Sequence, residues 1–335
     1  MVKRAASILK YSLSLVLAGA LMYFAFRNVH FGDFMEKAKS VEYAWVIGSI
    51  ILSIVAYYAR AYRWNILIRP MGYQKLSIHR TTVAILVGYL ANLALPRLGE
   101  ITRCGMLKRS DDVPVSTSLG TVISERLIDV LTLLMLILFT LAIEHEKLVS
   151  FLEDLFTSFV DLEGLWWKLS IAGVVLLVLI GVGYVLIRRA GPKISQFVRE
   201  LVEGIISLRK IDNWLGFVLS TLVLWVAYYY MSYIIVFALE ETSHLDWAVG
   251  VMLLVTGGIA LAIPVQGGFG TYHTLVSVML SLYGIEMTTG VFLATLLHTS
   301  QVVAIALFGS IGVLISIFMN KSRKKEHQEN ERATL

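Results

Sequence analysis

One cysteine, Cys104, stands in 335 residues, which excludes an internal disulfide and a cysteine-rich metal site and leaves the redox compartment open. Charge is scarce as well. Only 16% of residues are Asp, Glu, Lys or Arg, against 57% hydrophobic, and the mean hydropathy is +0.73. Soluble domains carry about 25% charged residues, so that class is excluded. The Gly-x-x-x-x-Gly-Lys loop and the His-Glu-x-x-His pair are both missing, and no other clear catalytic signature replaces them. Prolines number five, and two of them, Pro96 and Pro264, interrupt apolar runs.

What the chain does have is apolar length. Segments 8–26, 44–68, 116–143, 169–187, 213–238 and 290–318 reach or approach the ~20 residues that cross a bilayer core as helix. The first follows Lys3, Arg4 and Lys10 but runs on apolar from Tyr11 to Phe26, without a small-x-small cleavage site before Arg27. It reads as a retained anchor rather than a signal peptide. The chain is an all-α polytopic membrane protein.

Basic residues orient the loops. Arg60, Arg63, Arg69, Lys75 and Arg80 make residues 60–80 cytoplasmic, and six acids place 144–168 outside. Residues 188–210 return to the cytoplasm, Glu240, Glu241 and Asp246 mark a second outer loop, and the tail 321–335 is basic and cytoplasmic. Both termini are therefore expected inside the cytoplasmic membrane. The net charge of +5 follows from these loops and does not argue for nucleic acid.

This topology leaves residues 80–112 and 246–286 without a full crossing. They read as re-entrant helical hairpins, one entering from each side, which membranes tolerate only where protein or a water-filled cavity surrounds the bare backbone. The alternative makes 80–95 and 246–263 full spans in an eight-helix protein. In the hairpin reading, 1–150 and 165–320 are two repeats of inverted topology, giving six full spans and two hairpins. The sequence echoes this: Leu93-Ala94-Leu95-Pro96-Arg97-Leu98-Gly99 returns 168 residues later as Leu261-Ala262-Ile263-Pro264-Val265-Gln266-Gly267, with four of seven positions identical. Broken helices at matching places in two halves point to a transporter's binding site.

Polar residues gather at the breaks. Asn92, Arg97, Glu100 and Arg103 lie at the first, where a helix resuming near Gly99 would aim its amides at an anion such as phosphate. An internal network that merely closes the hairpin is the other reading. Only Val130–Ile143 is uninterrupted apolar sequence, about 21 Å of helix. That is too short for a ~30 Å core, so Glu125 and Asp129 must lie within the spanning helix. Four residues apart, they share a face. Arg97 and Arg103 are the expected partners, with an interfacial Glu125–Arg126 pair as the bland alternative. The second break offers Gln266, Gly267, Gly268 and His273, followed by His298 on the last span, which reads as a packing residue or as a proton relay.

Other features read as structural. Arg60 and Arg63 are expected to snorkel to lipid phosphates or, secondarily, to guard a cavity mouth. Trp166 and Trp167 fit an outer aromatic belt, and Trp64 and Trp214 an inner one. Ile194, Phe197, Val198, Leu201, Ile205 and Leu208 recur at helical spacing, which predicts an amphipathic helix at the cytoplasmic interface.

Four motifs in order carry a wider likeness: Arg60-Ala61-Tyr62-Arg63-Trp64, Asn92 through Glu100, Glu125-Arg126-Leu127-Ile128-Asp129 and Pro264 through Gly270. Over nearly its whole length the chain resembles the lysylphosphatidylglycerol synthase/flippase transmembrane family. The resemblance implies lipid translocation between leaflets, or a membrane role in lipid and glycan pathways. Bifunctional synthases append a large soluble aminoacyl-transfer domain, whereas this chain stops about 17 residues past its last span. It is therefore expected not to be a tRNA-dependent transferase, which puts a lysylated lipid in question.

The leading expectation is a flippase-like protein for a lipid with a charged head group. Its partner is a membrane lipid, either a phospholipid or a lipid-linked glycan carrier, with enzymes of lipid or glycan synthesis as further candidates. Neither cofactor nor metal is expected. A non-transporting scaffold is the alternative. Behind it stands a membrane enzyme, which would need Glu100 beside His273 or His298.

Overall fold

The computed structural model describes residues 31–95, 98–159, 192–263 and 265–333, together with positions 19, 22, 23 and 26. The expected spans 8–26 and 169–187, the pair Trp166–Trp167, and Pro96, Arg97 and Pro264 lie outside or largely outside these residues. Everything described is helix, turn or loop, with no strand.

In chain order the helices are α1 (Phe31–Ser40), α2 (Tyr43–Ile68), α3 (Ile78–Ala94), α4 (Leu98–Asp111), α5 (Val115–Ile143), α6 (His145–Phe159), α7 (Pro192–Ile205), α8 (Trp214–Tyr233), α9 (Trp247–Ala262), α10 (Thr271–Ser281) and α11 (Met287–Ala333). Short 3-10 turns extend α2 to Met71, α7 to Lys210 and α8 to Ala238, and a fourth among the described residues covers Gln266–Gly268. Among the described residues four stretches are long and apolar enough to cross a membrane: Tyr43–Met71, Val115–Ile143, Trp214–Ala238 and Met287–Met319. They coincide with four of the six spans expected from sequence. The chain is a multi-pass membrane protein.

The breaks have a local cause. A residue before proline is pushed out of the helical region by the proline ring. Leu95 (φ −142°, ψ 128°) and Ile263 (φ −65°, ψ 128°) are both extended and end α3 and α9 just before Pro96 and Pro264. After the second break Gly267, Gly268 and Gly270 take φ of 58°, 75° and 83°, values that other residues rarely adopt.

Each break joins an antiparallel helix pair. In the first, Arg80 Nη2 near the start of α3 bonds Asp111 Oδ1 at the end of α4 at 2.9 Å. Near the tip, a Cβ on Gly88 would stand 2.8 Å from the Gly99 carbonyl oxygen, so only glycine lets the backbones approach this closely. In the second, Thr271 of α10 donates to the Ala260 carbonyl of α9 at 3.2 Å. The 266–268 turn packs against α3, so the second break lies beside the first pair.

Helices α2 and α8 also run antiparallel. Ser49 donates to the Met231 carbonyl at 2.7 Å near one end, and Asn213 meets the Tyr62 hydroxyl at 3.4 Å near the other. Between these points Ala56 and Leu224, 168 positions apart, share an apolar cluster.

Two departures from the sequence reading are informative. The expected outer loop 144–168 folds into α6 over its first part, because Leu148 and Phe151 are three apart and both buried in the main core. Trp64, expected in an interfacial belt, is fully buried and donates to Thr121 Oγ1 at 3.0 Å. Trp214 is half exposed at the start of α8, as an interfacial residue should be. The last helix continues through the basic tail to Ala333.

Candidate functional site

Among the described residues Glu125 is the centre of a network of five ion pairs or more shared by Arg60, Arg63, Arg103 and Asp129. It sits on α5 with no exposed side-chain surface. Its Oε1 accepts from Arg60 Nε at 2.5 Å and from Arg63 Nη2 at 3.2 Å, and its Oε2 from Arg103 Nη2 at 2.9 Å. One turn along α5, Asp129 accepts from Arg60 Nη2 and Arg63 Nη2, both at 2.7 Å.

The arginines arrive from two directions. Arg60 and Arg63 are three apart on α2 and so share a face, and Arg103 comes from α4. The Arg103 guanidinium lies over the Trp64 ring, 4.4 Å from its centroid, which offsets part of the cost of burying it. Arg60 also donates from Nη1 to the hydroxyls of Tyr89 (2.6 Å) and Tyr228 (3.2 Å), drawing α3 and α8 into the network. Arg63 is buried with its Nε and Nη1 groups lacking partners. Buried donors without partners are costly.

At the edge of this cluster Arg126 bonds Glu100 Oε1 at 3.3 Å, and Glu100 Oε2 has no partner. Asn92 accepts from the Gly99 amide at 2.6 Å and so caps the resumed helix α4. That amide, expected to face an anion, is already satisfied.

The second break builds an aromatic and imidazole cluster. His298 of α11 donates from Nε2 to the Gly267 carbonyl at 2.8 Å and holds the turn against the helix. His273 stands over His298 with ring centroids 5.1 Å apart, its Nδ1 unpartnered and buried. Phe269 and Tyr272 flank His298 at 4.8 and 5.3 Å. Gly268 is also constrained by contact, since a Cβ there would lie 2.7 Å from Leu261. No ion pair or hydrogen bond joins this cluster to Glu125 among the described residues, and no group of three metal-ligating side chains occurs among them.

Residues 11–309 match the family described as lysylphosphatidylglycerol synthase TM region. The chain belongs to that family. Among curated proteins this family member is similar to the UPF0104 membrane protein of Methanocaldococcus jannaschii, with 21% identity over 301 residues, covering 81% of this chain and 84% of the relative. No solved structure matches it significantly.

For this family member the sequence reading of Arg60 and Arg63 needs correction. They do not snorkel to the interface. Both are buried, because two carboxylates one turn apart on α5 meet two arginines three apart on α2, and the pairs fit face to face. The partners expected for Glu125 and Asp129 were Arg97 and Arg103; Arg103 does reach Glu125, and Arg97 lies outside the described residues. Tyr89 and Tyr228 were missed as well, and Arg126, read as a possible partner of Glu125, instead meets Glu100 and Asp129. The signal for Arg60 and Arg63 was present: two basic residues on one face of an otherwise apolar span ask for carboxylates.

Proposed function

We propose that the chain moves a lipid with a charged head group between the leaflets of the cytoplasmic membrane, with Arg60, Arg63, Arg103, Glu125 and Asp129 as the head-group site. In this reading the protein has six full spans and two re-entrant hairpins, the α3–α4 and α9–α10 pairs. Residues 1–150 and 165–320 are inverted repeats, 321–335 is a cytoplasmic tail, and both termini are cytoplasmic.

The observation that carries the reading is an internal control. Shifting by 168 residues places Tyr228, Met231, Thr271, Leu293 and Leu297 where Arg60, Arg63, Arg103, Glu125 and Asp129 stand. Leu293 and Leu297 are completely buried. One half of the chain thus fills these positions with uncharged side chains, Tyr228 accepting from Arg60 and Thr271 donating to the Ala260 carbonyl, and the other carries five charges. Replacing a buried ion network by apolar side chains is often neutral or stabilising, by about 1–4 kcal/mol. Packing alone therefore gives no reason to keep the charges.

Geometry adds support. The second break packs against α3 of the first pair, and the charged cluster sits between α2 and α8, which are equivalent in the proposed repeat, as expected for a site between repeats. Arginines suit a phosphate, and the carboxylates suit cationic groups or protons. The enzymatic reading lacks support because, among the described residues, no hydrogen bond joins Glu100 to His273 or His298; Glu100 pairs with Arg126 and His298 with a backbone carbonyl.

The test is reconstitution into liposomes containing a fluorescent phospholipid, with a membrane-impermeant quencher. Wild type should expose inner-leaflet label faster than empty vesicles, and Glu125→Gln should be slower by roughly tenfold or more. No wild-type activity with any lipid class, or an equal rate in a folded Glu125→Gln protein, would overturn the proposal.

A further inference from the structure

Arg63 is fully enclosed, and its guanidinium is only partly used. Nη2 has acceptors, Asp129 Oδ1 at 2.7 Å and Glu125 Oε1 at 3.2 Å. Nε and Nη1 are buried without a partner. A guanidinium donates hydrogen bonds and accepts none, so what these groups lack is an acceptor.

The charges around it do not balance either. Among the described residues three arginines, Arg60, Arg63 and Arg103, meet two carboxylates, Glu125 and Asp129. At the rim, Arg126 and Glu100 pair with each other and cancel. Tyr89 and Tyr228 give Arg60 hydroxyl oxygens but no charge. One positive charge is left over in a nearly closed site.

Burying an uncompensated ion costs far more than burying a dipole. A water molecule would satisfy a free donor of Arg63 and leave the charge in place. An anion does both. An excess of one selects a monoanion, and enclosure among α2, α4 and α5 selects a small one. The way in lies at the rim, where the Asp129 side chain is 17% exposed next to the half-exposed Arg126.

We infer that the cluster holds a small inorganic monoanion, chloride being the cellular one, on the free N–H groups of Arg63. This rests on the reading above only for the purpose of the site: chloride balances the buried charges while no head group is present, and the two compete for the same excess charge. Chloride is then a resident counter-ion of the cluster and a regulator of its occupancy.

The experiment is thermal unfolding of the full-length protein in a neutral detergent, with sodium chloride replacing sodium gluconate at constant ionic strength. Constant ionic strength removes screening as a cause, and gluconate carries the same charge in a body too large for the site. Wild type should gain roughly 2 °C or more, and the gain should saturate with chloride. Bromide should substitute for chloride. Glu125→Gln sets three arginines against one carboxylate, an excess of two, and should gain more than wild type. Arg103→Thr balances the charges and leaves the free groups of Arg63 in place, so its gain should vanish, as should that of Arg63→Met.

Equal unfolding temperatures of wild type in the two salts would overturn the inference. So would an undiminished gain in folded Arg103→Thr or Arg63→Met, or a gain in Glu125→Gln smaller than that of wild type. If the gains follow these variants but no lipid moves in liposomes, the anion site stands and translocation falls. If lipid moves and wild type gains nothing from chloride, translocation stands and the anion site falls.

Discussion

Arg60 donates to the hydroxyl of Tyr228 at 3.2 Å, and the two residues are 168 positions apart, the offset that also separates Pro96 from Pro264. In the proposed inverted repeat, the same position of the two halves meets itself between α2 and α8, once as arginine and once as tyrosine. The charged cluster would then lie beside the pseudo-two-fold axis of that repeat.

Tyr228→Phe removes one acceptor of Arg60 and leaves its carboxylates in place. A hydrogen bond to a charged group contributes about 1.5–3 kcal/mol. Thermal unfolding in detergent should show a modest loss of stability, smaller than that of Glu125→Ala. A loss as large as that of Glu125→Ala would contradict this ordering.

Glu125→Ala leaves three buried arginines short of a partner. Breaking a buried pair from one side costs about 3–5 kcal/mol. A sharp fall in Tm is expected, partly restored when Arg103 is also replaced by Thr. Additive losses in the double variant would show that the two residues do not act as a pair.

The tips of the helix pairs should be intolerant of bulk. Gly88→Ala puts a Cβ 2.8 Å from the Gly99 carbonyl, backbone against backbone, so α3 and α4 must separate. Overpacking of this kind costs about 1–3 kcal/mol. Gly72→Ala meets no atom within 4 Å but forces alanine to φ 98°. The two variants should both destabilise, but only Gly88→Ala should weaken a disulfide engineered across α3 and α4.

Outside the spanning helices, Lys37 donates to Glu241 at 2.5 Å and holds that carboxyl below the usual carboxylate range. A depressed folded value stabilises above the unfolded pKa, near 4.3, and that contribution fades as pH falls through the lower folded value. The Tm gap between wild type and Glu241→Gln should be present at neutral pH and close below about pH 4. Both groups are partly solvated, so the gap is expected to be small.

The sequence made much of this readable, for physical reasons that differ by element. Long apolar runs are set by bilayer thickness, so the four described spans agree with their sequence bounds to within a few residues. Pro96 and Pro264 constrain the residue before them, and the breaks fall there. The partners of Glu125 were harder. Spacing shows that Glu125 and Asp129 share a face but not which helix that face meets, and α2 was judged by the position of Arg60 and Arg63 near its cytoplasmic end. Long-range packing, with Trp64 and Tyr89 alongside, pulled those arginines inward. Helix α6 was overlooked because its acids outweighed the two buried apolar residues, Leu148 and Phe151, that fold it.

The central claim is that the five clustered charges serve a lipid and not the fold. The direct measurement is lipid movement by a variant carrying the second half's residues at these positions: Arg60→Tyr, Arg63→Met, Arg103→Thr, Glu125→Leu and Asp129→Leu. The account predicts a protein that folds at least as stably as wild type and moves no lipid. Wild-type rates of lipid movement in that variant would contradict it.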